Sequence, residues 1–183
     1  MKTISQIDEQ FYRLGRSHIA SQLFDWLTRR KAGERTLEIG PRVVLEGAGW
    51  DTLDVKPGCT FQADITARTQ IGDSVYDCVL CQDVLEHTID PFGALAEIRR
   101  ILKPGGLLLA SAPWGFRIHG PQPDLWRFNQ NTWRLLLKDW DDLTLDVLDD
   151  PNRWLMPIHI NVSARCNKDK NVNAREMEWP LIS

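Results

Sequence analysis

The sequence lacks the features that mark membrane, nucleic-acid-binding and secreted proteins. No apolar run approaches the roughly 20 residues that a helix needs to cross a bilayer, so no membrane partner is expected. Lysines and arginines form no block and the net charge is −3, which argues against a nucleic-acid partner, because phosphate binding relies on clustered positive charge. Residues 1–6 carry a charge but no apolar core, which predicts no signal peptide and a cytoplasmic location.

Cysteine is scarce, and its spacing predicts no metal site. The four cysteines are scattered, and only Cys78 and Cys81 form a C-x-x-C pair. Both lie in an apolar pattern typical of a β-strand, where a spacing of three residues places side chains on opposite faces. Two thiols on opposite faces of one strand cannot easily share a zinc ion, so we expect no bound metal.

The chain is long enough for one domain with a proper core. It has 183 residues, of which 43% are hydrophobic and 26% charged, values that are ordinary for a globular protein. Apolar residues recur at helical spacing through residues 4–31, whereas the last residues are polar with few apolar positions. We therefore predict a helical arm over residues 1–33, an α/β domain over 34–166 and a polar tail over 167–183.

Strands alternate with helices along this domain. A helix begins at Asp90 and Pro91, with the aspartate as N-cap, and ends at the stop signal formed by residues 103–106. Asn131 or Thr132 is expected to cap a second helix. The predicted strands cover residues 37–39, 52–55, 60–63, 77–81, 107–112, 143–148 and 158–164. This alternation is typical of a doubly wound α/β domain, in which ligands bind beyond the carboxyl ends of the strands.

A glycine or a carboxylate follows or ends several predicted strands, at Gly40, Asp54, Asp64 and Asp83. Aligned along one edge of a parallel sheet, such acids suit a nucleoside, whose ribose hydroxyls and adenine amino group donate hydrogen bonds. Each acid also has a purely structural interpretation. Asp54 could be a turn residue, Asp64 and Asp83 could be caps, and Glu38 could be a buried carboxylate satisfied by backbone amides.

Two stretches carry a resemblance to a known family. The first is Asp83-Val84-Leu85-Glu86-His87, followed by Asp90-Pro91, and the second covers residues 97–107. Together they resemble the class I S-adenosylmethionine-dependent methyltransferases, most closely the small-molecule enzymes with a D-V-L-E-H pattern. The resemblance covers residues 36–113 well. It implies a Rossmann-like, seven-stranded, mostly parallel sheet with helices on both faces, and S-adenosyl-L-methionine as the methyl donor.

The resemblance also implies a set of donor-binding residues. Asp54 would accept both ribose hydroxyls, Asp64 would face the adenine amino group, and Ile65 would lie against the ring. The first loop departs from the family, because Pro41 follows Gly40 in place of the usual G-x-G and removes one N–H donor. The implied set is Glu38, Gly40, Pro41, Asp54, Val55, Asp64, Ile65, Gln82 and Asp83.

Residues 118–128 follow the fifth strand, where acceptor-binding loops occur in this family. They predict an acceptor pocket with His119 as general base and with Asp124, Trp126 and Arg127 as substrate-binding residues. A histidine base favours O-methylation, because a hydroxyl acceptor must lose a proton. The alternative is a structured loop in which Asp124 and Arg127 form a local ion pair. His87 is interpreted as structural.

The sequence thus predicts a methyltransferase that acts on a small-molecule or glycan-like acceptor. The N/D-P-P-Y/F signature of enzymes that methylate base amino groups is absent after the fourth strand. An NAD-dependent oxidoreductase is disfavoured, because G-x-G-x-x-G is missing after the first strand. The alternative is a non-catalytic domain that binds a partner or senses the cofactor, and the abbreviated Gly40-Pro41 loop supports it.

Overall fold

The computed structural model describes residues 33–41, 50–148 and 157–170, together with positions 13, 21, 22, 25, 29 and 31. The predicted helical arm and polar tail therefore lie largely outside the described residues, and the division of the chain at residues 33 and 166 stays a prediction. Within the described part, no helix has the length and apolar character that crossing a membrane requires.

One sheet forms the centre of the fold. Its strands are β1 (Thr36–Ile39), β2 (Asp51–Asp54), β3 (Phe61–Gln62), β4 (Tyr76–Gln82), β5 (Leu102–Pro113), β6 (Asp141–Leu148) and β7 (His159–Arg165). They are ordered β3-β2-β1-β4-β5-β7-β6. Strands β1 to β5 pair in parallel, whereas β7 runs antiparallel to both β5 and β6. The predicted seven-stranded, mostly parallel α/β fold is confirmed.

The central strands β4 and β5 are apolar on both faces, as strands covered on both sides must be. Cys81 joins the main core together with Leu108, whereas Cys78 packs with Leu80 and Leu109 in a smaller cluster. The two cysteines of the C-x-x-C pair therefore lie on opposite faces of β4, as predicted. Burial raises the pKa of the Cys78 thiol to about 12, which makes it a poor nucleophile and metal ligand at neutral pH.

The first described long helix, α1 (Pro91–Ile101), begins as predicted. The Asp90 side chain accepts a hydrogen bond from the amide of Gly93 at 2.9 Å, which caps the helix. Ile98 and Ile101 are fully buried against the sheet. Burial of such side chains contributes about 1.5–3 kcal/mol each, so packing rather than intrinsic propensity holds the helix in place.

The predicted cap of the second helix, α2 (Gln130–Leu136), was wrong by two or three residues. The N-cap is Asn129, rather than Asn131 or Thr132. Its side-chain oxygen accepts hydrogen bonds from the amide and the hydroxyl of Thr132, at 2.8 and 3.0 Å. Asn129 is the N-cap because its side chain reaches the amide of Thr132 in the first turn of the helix, which has no partner within the helix.

Residues 103–106 were predicted to separate the helix from a strand over residues 107–112, and the structure instead places them within β5. Helix α1 does end at Ile101, but β5 begins at once, and Leu102 already pairs with Tyr76 of β4 across a register shift. Gly105 lies at φ +73°, and a side chain on Gly106 would meet the carbonyl oxygen of Lys103 at 2.9 Å. Glycine thus permits an irregular strand, in which the Gly105 amide donates to the carbonyl oxygen of Cys166 and the Cys166 amide donates to that of Gly106, both at 2.8 Å.

A buried carboxylate joins α1 to the segment after β3. Glu97 is 6% exposed and accepts hydrogen bonds from the amide and hydroxyl of Thr69, at 2.8 and 2.7 Å, and from Arg100 at 2.6 Å. Burial by itself would raise the pKa of Glu97, but the bonds from Arg100 and Thr69 outweigh it and lower that pKa. This network fixes the segment that carries Asp64 and Ile65.

We expect Glu97→Gln to lower the free energy of unfolding by about 2 kcal/mol at pH 7, because hydrogen bonds to a charged group are lost. The pKa of Glu97 is lower in the folded state than in the unfolded state, where it is roughly 4.3. The ionised Glu97 therefore stabilises the folded state above that pH, and this stabilisation is lost as the pH falls through the folded-state pKa. The difference between wild type and variant should therefore shrink in acid. Urea unfolding at several pH values measures it, with Glu34→Gln, at an exposed hydrogen bond, as the control. A difference that does not change with pH would contradict this account.

Candidate cofactor-binding site

A cavity of about 550 Å³ lies at the carboxyl edge of the parallel strands. Its volume is within the range of roughly 300–1,000 Å³ that is typical of small-molecule sites. It lies where the strand order reverses between β1 and β4, the point at which doubly wound sheets bind ligands. The lining residues are Ile39, Gly40, Pro41, Leu53, Asp54, Val55, Lys56, Ala63, Asp64, Ile65, Thr66, Gln82, Asp83, Val84, His87, Thr88, Ile89, Pro121, Gln122 and Pro123.

Two predicted acids line this cavity from neighbouring strands. Asp54 ends β2, and its Oδ1 accepts a hydrogen bond from the amide of Lys56 at 2.9 Å. Asp64 follows β3, and its Oδ1 accepts hydrogen bonds from the amide and hydroxyl of Thr66, at 2.9 and 2.8 Å. Each carboxylate thus holds its own turn through one oxygen. The structural and the functional interpretations of these acids are compatible, because the second oxygen of each accepts no hydrogen bond from the described residues.

Gly40 lies under the loop that follows β4. It has φ +66°, and a Cβ atom at this position would lie 2.5 Å from Cγ2 of Val84. Its amide donates to the carbonyl oxygen of Leu53 in β2, at 2.8 Å. Only glycine fits both the conformation and the space here, so Gly40 brings the ends of β1, β2 and β4 together beside the cavity. Pro41 lines the same edge, and residues 42–49 lie outside the described part of the chain.

Asp83 is held by two buried partners that the sequence did not indicate. It is 8% exposed and adopts φ +54°, uncommon for a residue other than glycine. Its Oδ1 accepts a hydrogen bond from the Ser111 hydroxyl at 2.9 Å and lies 2.7 Å from Nε2 of His159. Ser111 lies on β5 and His159 begins β7, so three strands fix the loop that borders the cavity. The predicted helix-cap alternative for Asp83 is not what the structure contains.

Glu38 is the one predicted donor-binding residue that does not line the cavity among the described residues. Its Oε2 accepts a hydrogen bond from the indole nitrogen of Trp50 at 3.1 Å. Burial raises the pKa of Glu38, and the bond from Trp50 opposes that rise.

The acceptor-side residues form a tight cluster beside the cavity rather than lining it. The Asp124 carboxylate is fully buried and pairs with Arg127 at 2.5 and 2.8 Å. Burial alone would raise the pKa of Asp124, but Arg127 and the His119 amide lower it far below its usual range. The structure therefore contains the local ion pair that was the alternative interpretation. Trp126 is 36% exposed, and its indole donates to the carbonyl oxygen of Thr88 at 2.9 Å.

His119, the predicted general base, does not line the cavity either. Its Nδ1 lies 3.0 Å from Oδ2 of Asp124, and its ring meets that of His87 edge-on at 5.0 Å. Burial lowers the pKa of His119, which keeps the ring neutral near pH 7. Of these two histidines, His87 is the one that borders the cavity.

Comparison with known proteins identifies the family. A family of methyltransferase domains matches residues 26–110, which include β1 to β4, α1 and the start of β5. A SAM-dependent methyltransferase from Archaeoglobus fulgidus has the same fold, with a TM-score of 0.60 and 13% identity, over 89% of this chain and 100% of that one. The family match and the shared fold support the predicted class I S-adenosylmethionine-dependent methyltransferase. The predicted family is confirmed, and S-adenosylmethionine is the donor on which that family depends.

The other proteins that this chain is similar to have names that indicate different reactions, or none. Phosphoethanolamine N-methyltransferase 2 of Haemonchus contortus, solved with S-adenosyl-L-methionine, has a TM-score of 0.58 and 14% identity over 81% of this chain and 53% of that one. A ubiquinone biosynthesis O-methyltransferase of Vibrio cholerae is 29% identical over 85 residues, which are 46% of this chain and 34% of the relative. An uncharacterized protein of a Streptomyces fradiae transposon is 35% identical over 79 residues, 43% of this chain and 16% of the relative. The matches span a minor part of both curated relatives.

The sequence did not indicate part of the cavity lining. His87, Thr88 and Ile89 border it, as do residues 121–123 of the loop after β5. The amides of Leu125 and Trp126 donate to the carbonyl oxygen of Glu86, at 2.8 and 3.3 Å, which folds this loop over the turn after β4. The available signal was the Pro-rich segment itself, and nothing in the sequence indicates which of its residues face inward.

We expect Gly40→Ala to destabilise the methyltransferase domain more than Gly105→Ala does. Both glycines have positive φ, so both variants carry a strain of about 1–2 kcal/mol, but only at Gly40 would the new Cβ meet Val84. Thermal unfolding measures the difference. Adding Val84→Ala to Gly40→Ala should recover part of the extra loss, because it removes the clashing methyl groups. Equal destabilisation of the two single variants would show that the contact with Val84 is unimportant.

Proposed function

We propose that this domain binds S-adenosyl-L-methionine in the cavity and catalyses transfer of its methyl group. The observation that carries the proposal is the pair Asp54 and Asp64, which line one cavity from adjacent strand ends beside Gly40. Carboxylates accept the hydrogen bonds that ribose hydroxyls and an adenine amino group donate. A cavity of about 550 Å³ can enclose a nucleoside with an attached amino acid.

Each predicted donor-binding residue has a role in this proposal. Asp54 binds the ribose, Asp64 and Ile65 bind the adenine, and Val55 borders the same wall. Gly40 and Pro41 serve the amino-acid end, and Glu38, which does not line the cavity, would act there only through the loop that follows it. Gln82 and Asp83 border the region where the reactive sulfur would lie. The donor supplies an electrophilic methyl group, and the chain contributes mainly by holding the reactants in line, which can be worth about 7–11 kcal/mol.

For the acceptor, we propose a small molecule or glycan-like compound with a hydroxyl group. The name of the Vibrio cholerae relative supports O-methylation, and the Haemonchus contortus enzyme supports a small acceptor. The net charge of −3 is unfavourable for a nucleic-acid acceptor. His119 would act on the acceptor side through its contact with His87, while Asp124, Trp126 and Arg127 would shape that side. The cytoplasmic location expected from the sequence stays a prediction.

A second candidate is a domain that binds the cofactor or a partner without methylating anything. A solved [4+2]-cyclase, SpnF, has the same fold with a TM-score of 0.57 and 14% identity, over 81% of each chain. The first loop of the present chain also lacks the second glycine, and Pro41 offers no N–H to a ligand. Binding and turnover must therefore be tested separately.

Thermal shift with three ligands tests the proposal. S-adenosylmethionine and S-adenosylhomocysteine should raise the unfolding temperature, because each binds the folded state alone, whereas NAD should not. Labelled donor with a panel of hydroxylated metabolites and sugar nucleotides then tests turnover. Stabilisation without turnover on any acceptor would favour the cofactor-binding alternative, and no stabilisation by either sulfur compound would overturn the proposal.

We expect Asp54→Ala to weaken S-adenosylhomocysteine binding at least tenfold, or about 1.4 kcal/mol, because the ribose loses its charged acceptor. Isothermal titration calorimetry measures the affinity. Asp169→Ala is the control, since this exposed acid follows β7 near the opposite edge of the sheet. An affinity equal to that of the wild type would remove Asp54 from the site.

A further inference from the structure

The Glu86 carboxyl group is buried without a hydrogen-bond donor. Its side chain has no exposed surface, and neither of its oxygens accepts a hydrogen bond from the described residues. The nearby polar atoms are Nε2 of His87, 3.6 Å from Oε1, and Nε2 of His119, 3.8 Å from the same oxygen. A carboxyl group left in this state is costly, so the site requires a positive charge or a proton that the chain itself does not provide in hydrogen-bond contact.

In both rings, Nε2 is the nitrogen nearest to Glu86, and the contact made by Nδ1 indicates which of the two nitrogens carries the hydrogen. Nδ1 of His87 lies 2.9 Å from the carbonyl oxygen of Pro123, which can only accept, so Nδ1 carries the hydrogen. Nδ1 of His119 faces the Asp124 carboxylate at 3.0 Å, and Arg127 keeps that carboxylate ionised and in place. In the neutral rings, both Nε2 atoms therefore direct a lone pair toward the Glu86 carboxyl group.

We infer that Glu86, His87 and His119 form a binding site for a divalent transition-metal ion. One ligand atom from each residue lies within 4.8 Å of the other two. Two ligands of one tetrahedral zinc ion stand roughly 3.4 Å apart, which is close to the distances of 3.6 and 3.8 Å between Oε1 and the two imidazole nitrogens. Two imidazoles and one carboxylate suit zinc and its first-row neighbours rather than calcium or magnesium.

The surroundings match those of metal-binding histidines in general. Such a histidine donates its second N–H to a carbonyl or carboxylate, which fixes the ring and the tautomer. The carbonyl oxygen of Pro123 lies 2.9 Å from Nδ1 of His87, and the Asp124 carboxylate lies 3.0 Å from Nδ1 of His119 and accepts a hydrogen bond from the His119 backbone amide. Two histidines whose Nδ1 atoms face acceptors and whose Nε2 atoms face one buried carboxyl group are arranged as the ligands of a metal ion would be.

A bound cation would place a positive charge in direct contact with the buried Glu86 carboxylate, as a buried carboxylate requires. The site borders the cavity through His87, and its existence does not depend on whether the donor binds.

The test begins with the full chain, treated with a chelator and dialysed. Isothermal titration calorimetry with Zn²⁺ alone measures the affinity and stoichiometry, and elemental analysis measures the bound metal. We expect one equivalent per chain. Glu86→Gln and His119→Gln should each weaken binding at least tenfold, and Asp124→Asn, at a residue that contacts the ligand His119 but would not contact the metal, should weaken it about 10–100-fold. No stoichiometric binding, or an affinity that Glu86→Gln leaves unchanged, would overturn the inference and mean that a proton alone satisfies Glu86.

Controls separate the site from other ligands and from misfolding. Cys59→Ala removes a partly exposed thiol that is not among the three proposed ligands, and this variant should bind Zn²⁺ as the wild type does. Circular dichroism and thermal unfolding without metal establish that each variant is folded. In Glu86→Gln, Zn²⁺ should no longer raise the unfolding temperature while the shift with S-adenosylhomocysteine persists. Failure of that second shift in the wild type as well would count against the proposed function and not against the metal site.

Discussion

The close approach of Gly40 to Val84 is the constraint on which the cavity depends. It brings the end of β1 within contact of the loop after β4, and the parallel pairing of the two strands extends that contact into the sheet. Because neighbouring parallel strands end at the same edge, Asp54 and Asp64 then face the same space as Gln82 and Asp83. A larger residue at Gly40 would separate the two halves of the site.

Three buried carboxyl groups surround the loops beside this edge, and they differ in how they are satisfied. Asp83 is held by Ser111 and His159, and Asp124 by Arg127 and His119. Among the described residues, the polar atoms nearest to the Glu86 carboxyl group are imidazole nitrogens that lie beyond hydrogen-bond distance. A fold tolerates a buried charge where partners compensate for it. Glu86 lacks such partners among the described residues, so a ligand is expected there.

Much of the fold could be predicted because it depends on local patterns. The apolar runs of β4 and β5 and the cap formed by Asp90 and Pro91 depend on neighbours in sequence, and they were predicted correctly. The cap of α2 and residues 103–106 were not, because Asn129 competes with two other polar residues and the pairing of Leu102 with Tyr76 is a long-range contact. The candidate site divides in the same way: the strand-end acids could be found, whereas the inward-facing part of the loop after β5 could not.

By itself, the sequence determined the α/β fold and which acids end neighbouring strands, since these depend on periodicity and on residues close together in the chain. Its resemblance to the methyltransferase family came from two short motifs. Only the tertiary structure decided that Asp124 is used by Arg127 and His119, and that His159 holds Asp83. It also brought His119 to His87 and Glu86, 32 and 33 residues apart in the chain. The physical reason is that such contacts depend on how a loop folds back over the sheet, and no local pattern encodes that direction.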